Sequence, residues 1–162
     1  EGSRALIESL HKSKPEDVET EVFVFGKIPL AFSARCFTAR HYDLNKDDCQ
    51  FKCLDHSEGL TLKTREGQEF LTINGIQTMS AQSYNLLHEI PDMLTLGIDI
   101  IRISPQKQQL SQIISAFDAA RCGQTVNVDS SAWSASGLVD GYWFGDAGIV
   151  QHHSQALTQL GA

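Results

Sequence analysis

The chain has 162 residues, of which 41% are apolar, and its formal net charge is −7. This length allows one domain with a substantial hydrophobic core, so a metal site need not be its main source of stability. The acidic balance argues against a general nucleic-acid-binding surface, which requires a basic stripe to neutralise phosphates.

The first half of the chain predicts a short helix, a strand and a hairpin. Residues 4–13 carry leucine and isoleucine at helical spacing. The segment EVFVFG, residues 21–26, is β-branched and aromatic, and it predicts a strand that Gly26 and Pro29 bring to an end. Residues 60–64 and 69–74 alternate in polarity around the turn REGQ, which indicates a β-hairpin.

The second half predicts helices that alternate with a buried strand. Ser80 is expected to open a helix that runs through Leu94, restarted or kinked at Pro91. Residues 98–103 then form a strand apolar on both faces, and residues 106–121 form another helix. The stripe predicted to be buried on that helix comprises Leu110, Ile113, Ile114 and Phe117. This rhythm of parallel βα units predicts an α/β fold: a partial (half) TIM-like barrel with a β-hairpin and a cysteine-rich loop.

Residues 1–162 are interpreted as a single domain. Cys122, at the end of the last long helix, is expected to be packed, and residues 123–140 are expected to form a loop or linker. Residues 141–145 place three aromatic side chains between glycines, and we expect them to plug the barrel bottom. Residues 151–162 predict a surface helix or tail whose two histidines are solvated.

The sequence indicates a soluble, cytoplasmic protein. No stretch approaches the roughly 18 apolar residues of a membrane span, and no basic-then-apolar leader is present. Four cysteines without a secretory signal favour free thiols or metal thiolates in a reducing compartment. The chain begins at Glu1 rather than at methionine, which indicates a fragment or a processed chain.

Three of the four cysteines fall within eighteen residues, in the pattern Cys36-x12-Cys49-x3-Cys53. Thiolates are soft ligands that select iron–sulfur clusters, zinc or copper(I). A zinc site usually pairs two short hooks, whereas here Cys36 stands apart from the single hook. Three cysteines with a wide first gap therefore favour an iron–sulfur cluster; a zinc site and three ordinary buried cysteines are the alternatives.

Cationic residues near these cysteines are candidates for binding a substrate. Arg35, Arg40 and His41 lie beside the first cysteine, where they either tune a cluster, bind substrate or cap a polar loop. Arg102 is expected at the carboxyl end of its strand, where barrel enzymes place functional groups. It would bind an anionic substrate such as a carboxylated ring precursor, or form a surface ion pair. The sequence identifies no catalytic acid or base.

The segment FGKIPLAFSARCFTARHYDLNKDDCQFKC, with GLTLKTREGQEFLTINGIQTMSAQSYNLL, RISPQ and GYWFGDAGI after it, resembles the collagenase-like peptidase family U32. Within that family it is similar to the C-terminal half of the UbiV branch. The resemblance covers most of residues 20–150. The proline at Pro29, where the peptidase branch has a cysteine, favours the UbiV branch.

The resemblance implies a barrel-like protein with a 4Fe–4S cluster that acts in oxygen-independent ring hydroxylation during ubiquinone biosynthesis. It implies a heterodimer with a UbiU-like partner, and it matches Cys36, Cys49 and Cys53 to three of the four cluster ligands. The fourth ligand belongs to an N-terminal half that this sequence lacks. We therefore expect the chain to pair with that half or with a second copy, or to rearrange to cover its open strand edges.

Two rival functions remain at this point. One is a structural zinc or thiolate site in a binding module without catalysis. The other is a collagenase-like peptidase, which follows from the family name alone. The motifs of metalloproteases, serine hydrolases and nucleotide-binding proteins are absent from the sequence.

Overall fold

The computed structural model describes residues 2–153, which fold around a six-stranded mixed sheet. The strands are β1 (Glu21–Phe32), β2 (Leu60–Lys63), β3 (Glu69–Asn74), β4 (Gln77–Asn85), β5 (Ile100–Ile103) and β6 (Leu138–Val139). The helices are α1 (Arg4–His11), α2 (Phe37–His41), α3 (Ile90–Leu96), α4 (Leu110–Arg121) and α5 (Gly141–Phe144). The α/β class is therefore as predicted.

The sheet order is β2-β3-β4-β1-β5, and β6 pairs with β4. Strands β2, β3, β4 and β1 are antiparallel neighbours, whereas β5 runs parallel to β1 and β6 runs parallel to β4. Strand β4 pairs with β3 through its first half and with β6 through its second half, while β1 lies along its other side. Within the described residues the sheet does not close into a barrel, so the half-barrel stays a prediction.

Strand β1 is longer than predicted because Gly26 and Pro29 do not end it. Its register with β4 shifts on both sides of Pro29, and these irregularities accommodate a residue that has no N–H to donate to the ladder. Gly26 adopts φ +117°, and a Cβ there would lie 2.6 Å from the Cβ of Ser104. The strand therefore continues through a bulged region in which only glycine fits beside Ser104.

The helix predicted from Ser80 to Leu94 is wrong in its first half. Residues 77–85 form β4, followed by a 3-10 helix at Leu87–Glu89 and then α3, which has Pro91 in its first turn and Gly97 as its left-handed C-cap. A strand that is covered on both faces need not alternate in polarity, and residues 83–87 are all buried. Their apolar spacing therefore matches a helix by coincidence.

Strand β5 is apolar on both faces in the sequence, and it was therefore predicted to be buried. It is instead the last strand at one edge of the sheet, and its residues alternate between exposed and partly exposed. Ile100, for example, is 39% exposed. An edge strand lacks a neighbour on one side, which explains this exposure.

The core lies where β1 packs against α4 and the 3-10 helix at Ser130–Trp133. The Phe25 side chain is fully buried, and the rings of Phe117 and Trp133 contact it edge-on at centroid distances of 6.0 and 5.7 Å. Helix α4 begins at Leu110, four residues later than predicted. It buries Ile113, Ala116, Phe117 and Ala120, whereas Ile114 is exposed.

The region predicted as a loop or linker, 123–140, contains this 3-10 helix and β6, and the side chain of Trp133 anchors it to the core. Cys122 is exposed, which corrects the prediction that it is packed. It follows the last residue of α4, beyond the buried stripe. No helix within residues 2–153 has both the length and the apolar character needed to cross a membrane.

The aromatic patch forms α5, in which Trp143 is fully buried and Phe144 is exposed. The histidines predicted to be solvated are instead half-buried, because the buried carboxylate of Asp140 accepts hydrogen bonds from the backbone N–H groups of His152, at 2.7 Å, and His153, at 3.3 Å. The predicted tail from 154 onward lies outside the described residues.

Candidate cysteine site and adjoining pocket

Residues 33–59, here called the cysteine loop, connect β1 to β2 and carry all three clustered cysteines. The loop contains α2 and two 3-10 helices, Lys46–Asp48 and Lys52–Asp55. Cys36 is the N-cap of α2, Cys49 directly follows the first 3-10 helix, and Cys53 lies in the second. Each thiol thus sits on a different short helical element of one loop.

All three cysteines are half-buried and unbridged. The Sγ of Cys36 accepts a hydrogen bond from the backbone N–H of Ala39 at 3.4 Å, so the start of α2 directs a donor toward this sulfur. The thiols are thus accessible enough to react and are held within a folded loop.

The start of the cysteine loop is fixed to the turn between β3 and β4. The backbone N–H of Ser33 donates to the carbonyl of Ile76 at 2.8 Å, and that of Phe37 donates to the carbonyl of Gly75 at 2.7 Å. In return the N–H of Gly75 donates to the buried hydroxyl of Thr38 at 3.1 Å. These bonds set the position of the first cysteine relative to the sheet.

The backbone between Cys49 and Cys53 is strained. Gln50 and Phe51 adopt φ values of 52° and 50°, in the left-handed region that non-glycine residues avoid. Each such residue costs about 1–2 kcal/mol, and strain of this kind concentrates at functional sites. The side chain of Phe51 is 70% exposed, so core packing does not explain the conformation.

The described residues contain no group of three or more His, Cys, Asp or Glu side chains placed to hold a metal ion. The donor set nevertheless fits a soft metal, because it consists of three free thiols on one loop. A cluster or zinc ion would draw these thiols together, and it would need one further ligand from elsewhere. Metal binding by Cys36, Cys49 and Cys53 therefore stays a prediction.

A polar pocket of about 820 Å³ begins where the cysteine loop ends. The loop contributes Ser57, Glu58 and Gly59 to its lining, and the strand ends at the β3–β4 turn contribute Asn74 and Gln77. Further lining residues are Lys27, Thr61, Glu69, Met79, Ser83, Ser104, Gln106, Gln108, Ser131, Trp133 and Ser134. The lining therefore offers many hydroxyl and amide groups, and the pocket shares a wall with the cysteine loop.

Lys27 brings a half-buried cation into this pocket. Its Nζ donates a hydrogen bond to the hydroxyl of Thr72 at 2.8 Å. Burial lowers the pKa of Lys27, and the attraction of Glu58 and Glu69 partly offsets that lowering. Lys27 was not among the predicted site residues, although a lysine inside the largely apolar segment of β1 was a visible signal.

None of the four cationic residues predicted to bind substrate lines this pocket. Arg35 and Arg40 are exposed on the cysteine loop, and the exposed His41 contacts the ring of Tyr42 edge-on. Arg102 lies outside the pocket lining, where its Nε is 3.2 Å from a carboxylate oxygen of Glu21. The structure thus contains the ion pair considered for Arg102, and substrate binding by this residue stays a prediction.

Part of the chain is similar to "tRNA hydroxylation protein P1" of Bacillus subtilis (strain 168). The two are 26% identical over 113 residues, which is 65% of this chain and 26% of that protein. The chain thus spans about a quarter of the length of this curated relative. No solved structure matches the chain. The model of Peptidase family U32 matches residues 1–123, three quarters of the chain, and the chain belongs to that family.

Proposed function

We propose that this chain is the iron–sulfur component of an oxygen-independent hydroxylation system, with its cluster held by Cys36, Cys49 and Cys53. The observation that carries the proposal is the presence of three free, half-buried thiols on one strained loop beside a polar pocket. Support for hydroxylation comes from a family relative that is named for tRNA hydroxylation.

A bound 4Fe–4S cluster would supply one-electron chemistry beside the pocket. In this proposal the chain's own residues supply the three thiolates and hold them on the cysteine loop. The fourth ligand comes from outside the loop, from a partner or from another part of the whole protein. The ammonium of Lys27 and the amides of Asn74 and Gln77 bind and orient a small polar substrate.

The proposed substrate is a ubiquinone ring precursor, and the proposed partner is a UbiU-like protein. The similarity of the cysteine segment to the UbiV branch supports both. The pocket, at about 820 Å³, is within the roughly 300–1,000 Å³ range of small-molecule sites. The net charge of −7 disfavours the phosphate backbone of a tRNA. These features favour a small ring over RNA as the substrate of this chain.

Mass spectrometry of anaerobically grown cells that depend on the whole protein tests this function. Cys49→Ser should abolish ring-hydroxylated quinones, whereas Cys122→Ser, at an exposed site outside the cysteine loop, should leave them unchanged. Loss of hydroxylated tRNA nucleosides with normal quinones would contradict the proposed substrate. Unchanged quinones and nucleosides in Cys49→Ser would contradict the hydroxylation function.

A structural zinc site is the second candidate, because the same three soft donors also suit zinc. It predicts a colourless protein in which Cys49→Ser loses zinc and stability but no redox activity. Metal analysis of the anaerobically purified protein separates the two candidates.

A further inference from the structure

One side-chain pair joins two helical elements of the cysteine loop, α2 and the second 3-10 helix. Tyr42 is the C-cap of α2, the helix that Cys36 opens, and His56 is the C-cap of the 3-10 helix that contains Cys53. The phenol oxygen of Tyr42 is hydrogen-bonded to Nε2 of His56. The elements that carry the first and last cysteines therefore meet through this pair.

The contact is larger than a single hydrogen bond. The two rings stack with centroids 5.8 Å apart and an interplanar angle of 24°. The ammonium of Lys52, the residue before Cys53, lies 5.9 Å from the centroid of the Tyr42 ring. Tyr42 thus contacts both the start and the end of the second 3-10 helix.

The backbone attaches these two helical elements to the rest of the protein in different ways. Helix α2 is tied to the β3–β4 turn through the hydroxyl of Thr38 and the N–H of Phe37. By contrast, the backbone N–H groups of Lys52, Leu54 and His56 donate to carbonyls within residues 49–56. These bonds shape the second 3-10 helix without attaching it to the sheet, so its attachment depends on side chains.

We propose that Tyr42 and His56 are positioning residues: their contact holds the segment that carries Cys53 against the helix that carries Cys36, and so presets the spacing of two metal-ligating thiols. The purpose of this contact rests on the proposed iron–sulfur function. The contact itself belongs to the metal-free fold, so it can be tested without a cluster.

The first test measures how close the two thiols are in the reduced, metal-free protein. In a Cys49→Ser, Cys122→Ser background only Cys36 and Cys53 remain, and dibromobimane becomes fluorescent when it bridges them. Tyr42→Phe removes the hydroxyl and keeps the ring, and loss of one hydrogen bond should slow bridging about three- to tenfold. Tyr42→Ala should slow it further. Tyr142→Phe, which removes a phenol hydroxyl on α5, is the matched control. Its two thiols should be bridged at the same rate as those of the Cys49→Ser, Cys122→Ser parent.

The second test uses the full set of cysteines after anaerobic reconstitution with iron and sulfide. Tyr42→Phe should release iron to a chelator about three- to tenfold faster than the wild type, and the Tyr142→Phe control should not. Circular dichroism confirms that each variant is folded. Equal bridging rates in the Cys49→Ser, Cys122→Ser parent and in its Tyr42→Phe and Tyr42→Ala variants, or no bridging in that parent, would overturn the positioning role.

The two proposals fail separately. If the wild type takes up no iron but Tyr42→Phe still slows thiol bridging, the positioning role stands and the iron–sulfur function is wrong. If the wild type holds a cluster and bridging is insensitive to Tyr42, the function stands and the positioning role is wrong.

Discussion

Replacing Glu89 with alanine should destabilise the protein, because this carboxylate connects α5 and the segment after it to the core. One oxygen accepts from the indole N–H of Trp143 at 2.8 Å, and the other lies 2.7 Å from Nε2 of His153. The Glu89 side chain is only 14% exposed, and Trp143 is fully buried. The substitution therefore leaves a buried indole N–H without its partner.

The magnitude follows from the two contacts. An unpaired buried donor costs about 1–3 kcal/mol, and the contact with the partly exposed His153 adds at most about 1 kcal/mol. We expect a loss of about 1–4 kcal/mol in the free energy of unfolding, and a loss of about 2 kcal/mol would lower Tm by about 4–8 °C for a chain of this size. Glu89→Gln keeps one acceptor and should lose about 1 kcal/mol or less.

Urea unfolding followed by circular dichroism, under reducing conditions, measures these changes. Glu19→Ala, an exposed carboxylate, is the control and should have little effect. A double-mutant cycle with Trp143→Phe isolates the indole contact, and we expect a coupling energy of about 1–2 kcal/mol. Additive effects of the two substitutions, with no coupling, would refute this reasoning.

Three further predictions concern single substitutions elsewhere in the fold. Gly59→Ala should lower the free energy of unfolding by about 2 kcal/mol or more. The φ angle of Gly59 is +81°, and the new Cβ would lie 2.5 Å from Cγ2 of Thr72. Urea unfolding measures the loss of stability. Burial and the charge of His153 lower the pKa of His88 below its usual 6.5. Between the folded and the unfolded pKa the unfolded chain binds more protons, so stability should rise as pH increases toward 6.5. Thermal unfolding of His88→Gln at several pH values should show a smaller rise. Burial lowers the pKa of the Lys27 ammonium, which Lys27→Met removes. The variant should be at least as stable as the wild type at pH 7. It should also lack the increase in stability that the wild type gains as pH rises toward 10.5.

Each of these has a result that would contradict it. A Gly59→Ala protein as stable as the wild type would contradict the close contact expected between a Cβ at this position and Thr72. If the stability of His88→Gln depends on pH as that of the wild type does, the lowered pKa of His88 does not contribute to the pH dependence. Destabilisation of Lys27→Met at pH 7 would mean that the hydrogen bond to Thr72 outweighs the cost of burying the charge.

Sequence patterns located several elements because those elements are stabilised locally. Strand β1 and the β2–β3 hairpin are β-branched and flanked by turn residues, and Gly97 ends α3 as a left-handed C-cap. The boundary near Ser80 was wrong because β4 is defined by its neighbours β1 and β3 rather than by its own pattern. Long-range pairing of this kind has no local signal.

The candidate site was only partly visible in the sequence. The spacing of three cysteines predicted one loop, and they do lie on one loop. The contribution of Lys27 to the pocket depends on the bulged register of β1 with β4, and the pairing of Tyr42 with His56 depends on the folding of residues between them. Neither follows from spacing alone. Arg102 was placed on a barrel rim by analogy; it forms an ion pair with Glu21, and its binding of substrate stays a prediction.

The most direct test of the central claim is anaerobic purification followed by an absorption spectrum and counts of iron, sulfide and zinc. We expect a brown protein with about four iron and four sulfide ions per chain or per dimer. The colour and both elements should be lost in Cys49→Ser and retained in Cys122→Ser. A colourless protein that holds zinc, or no metal, would contradict the proposed iron–sulfur function.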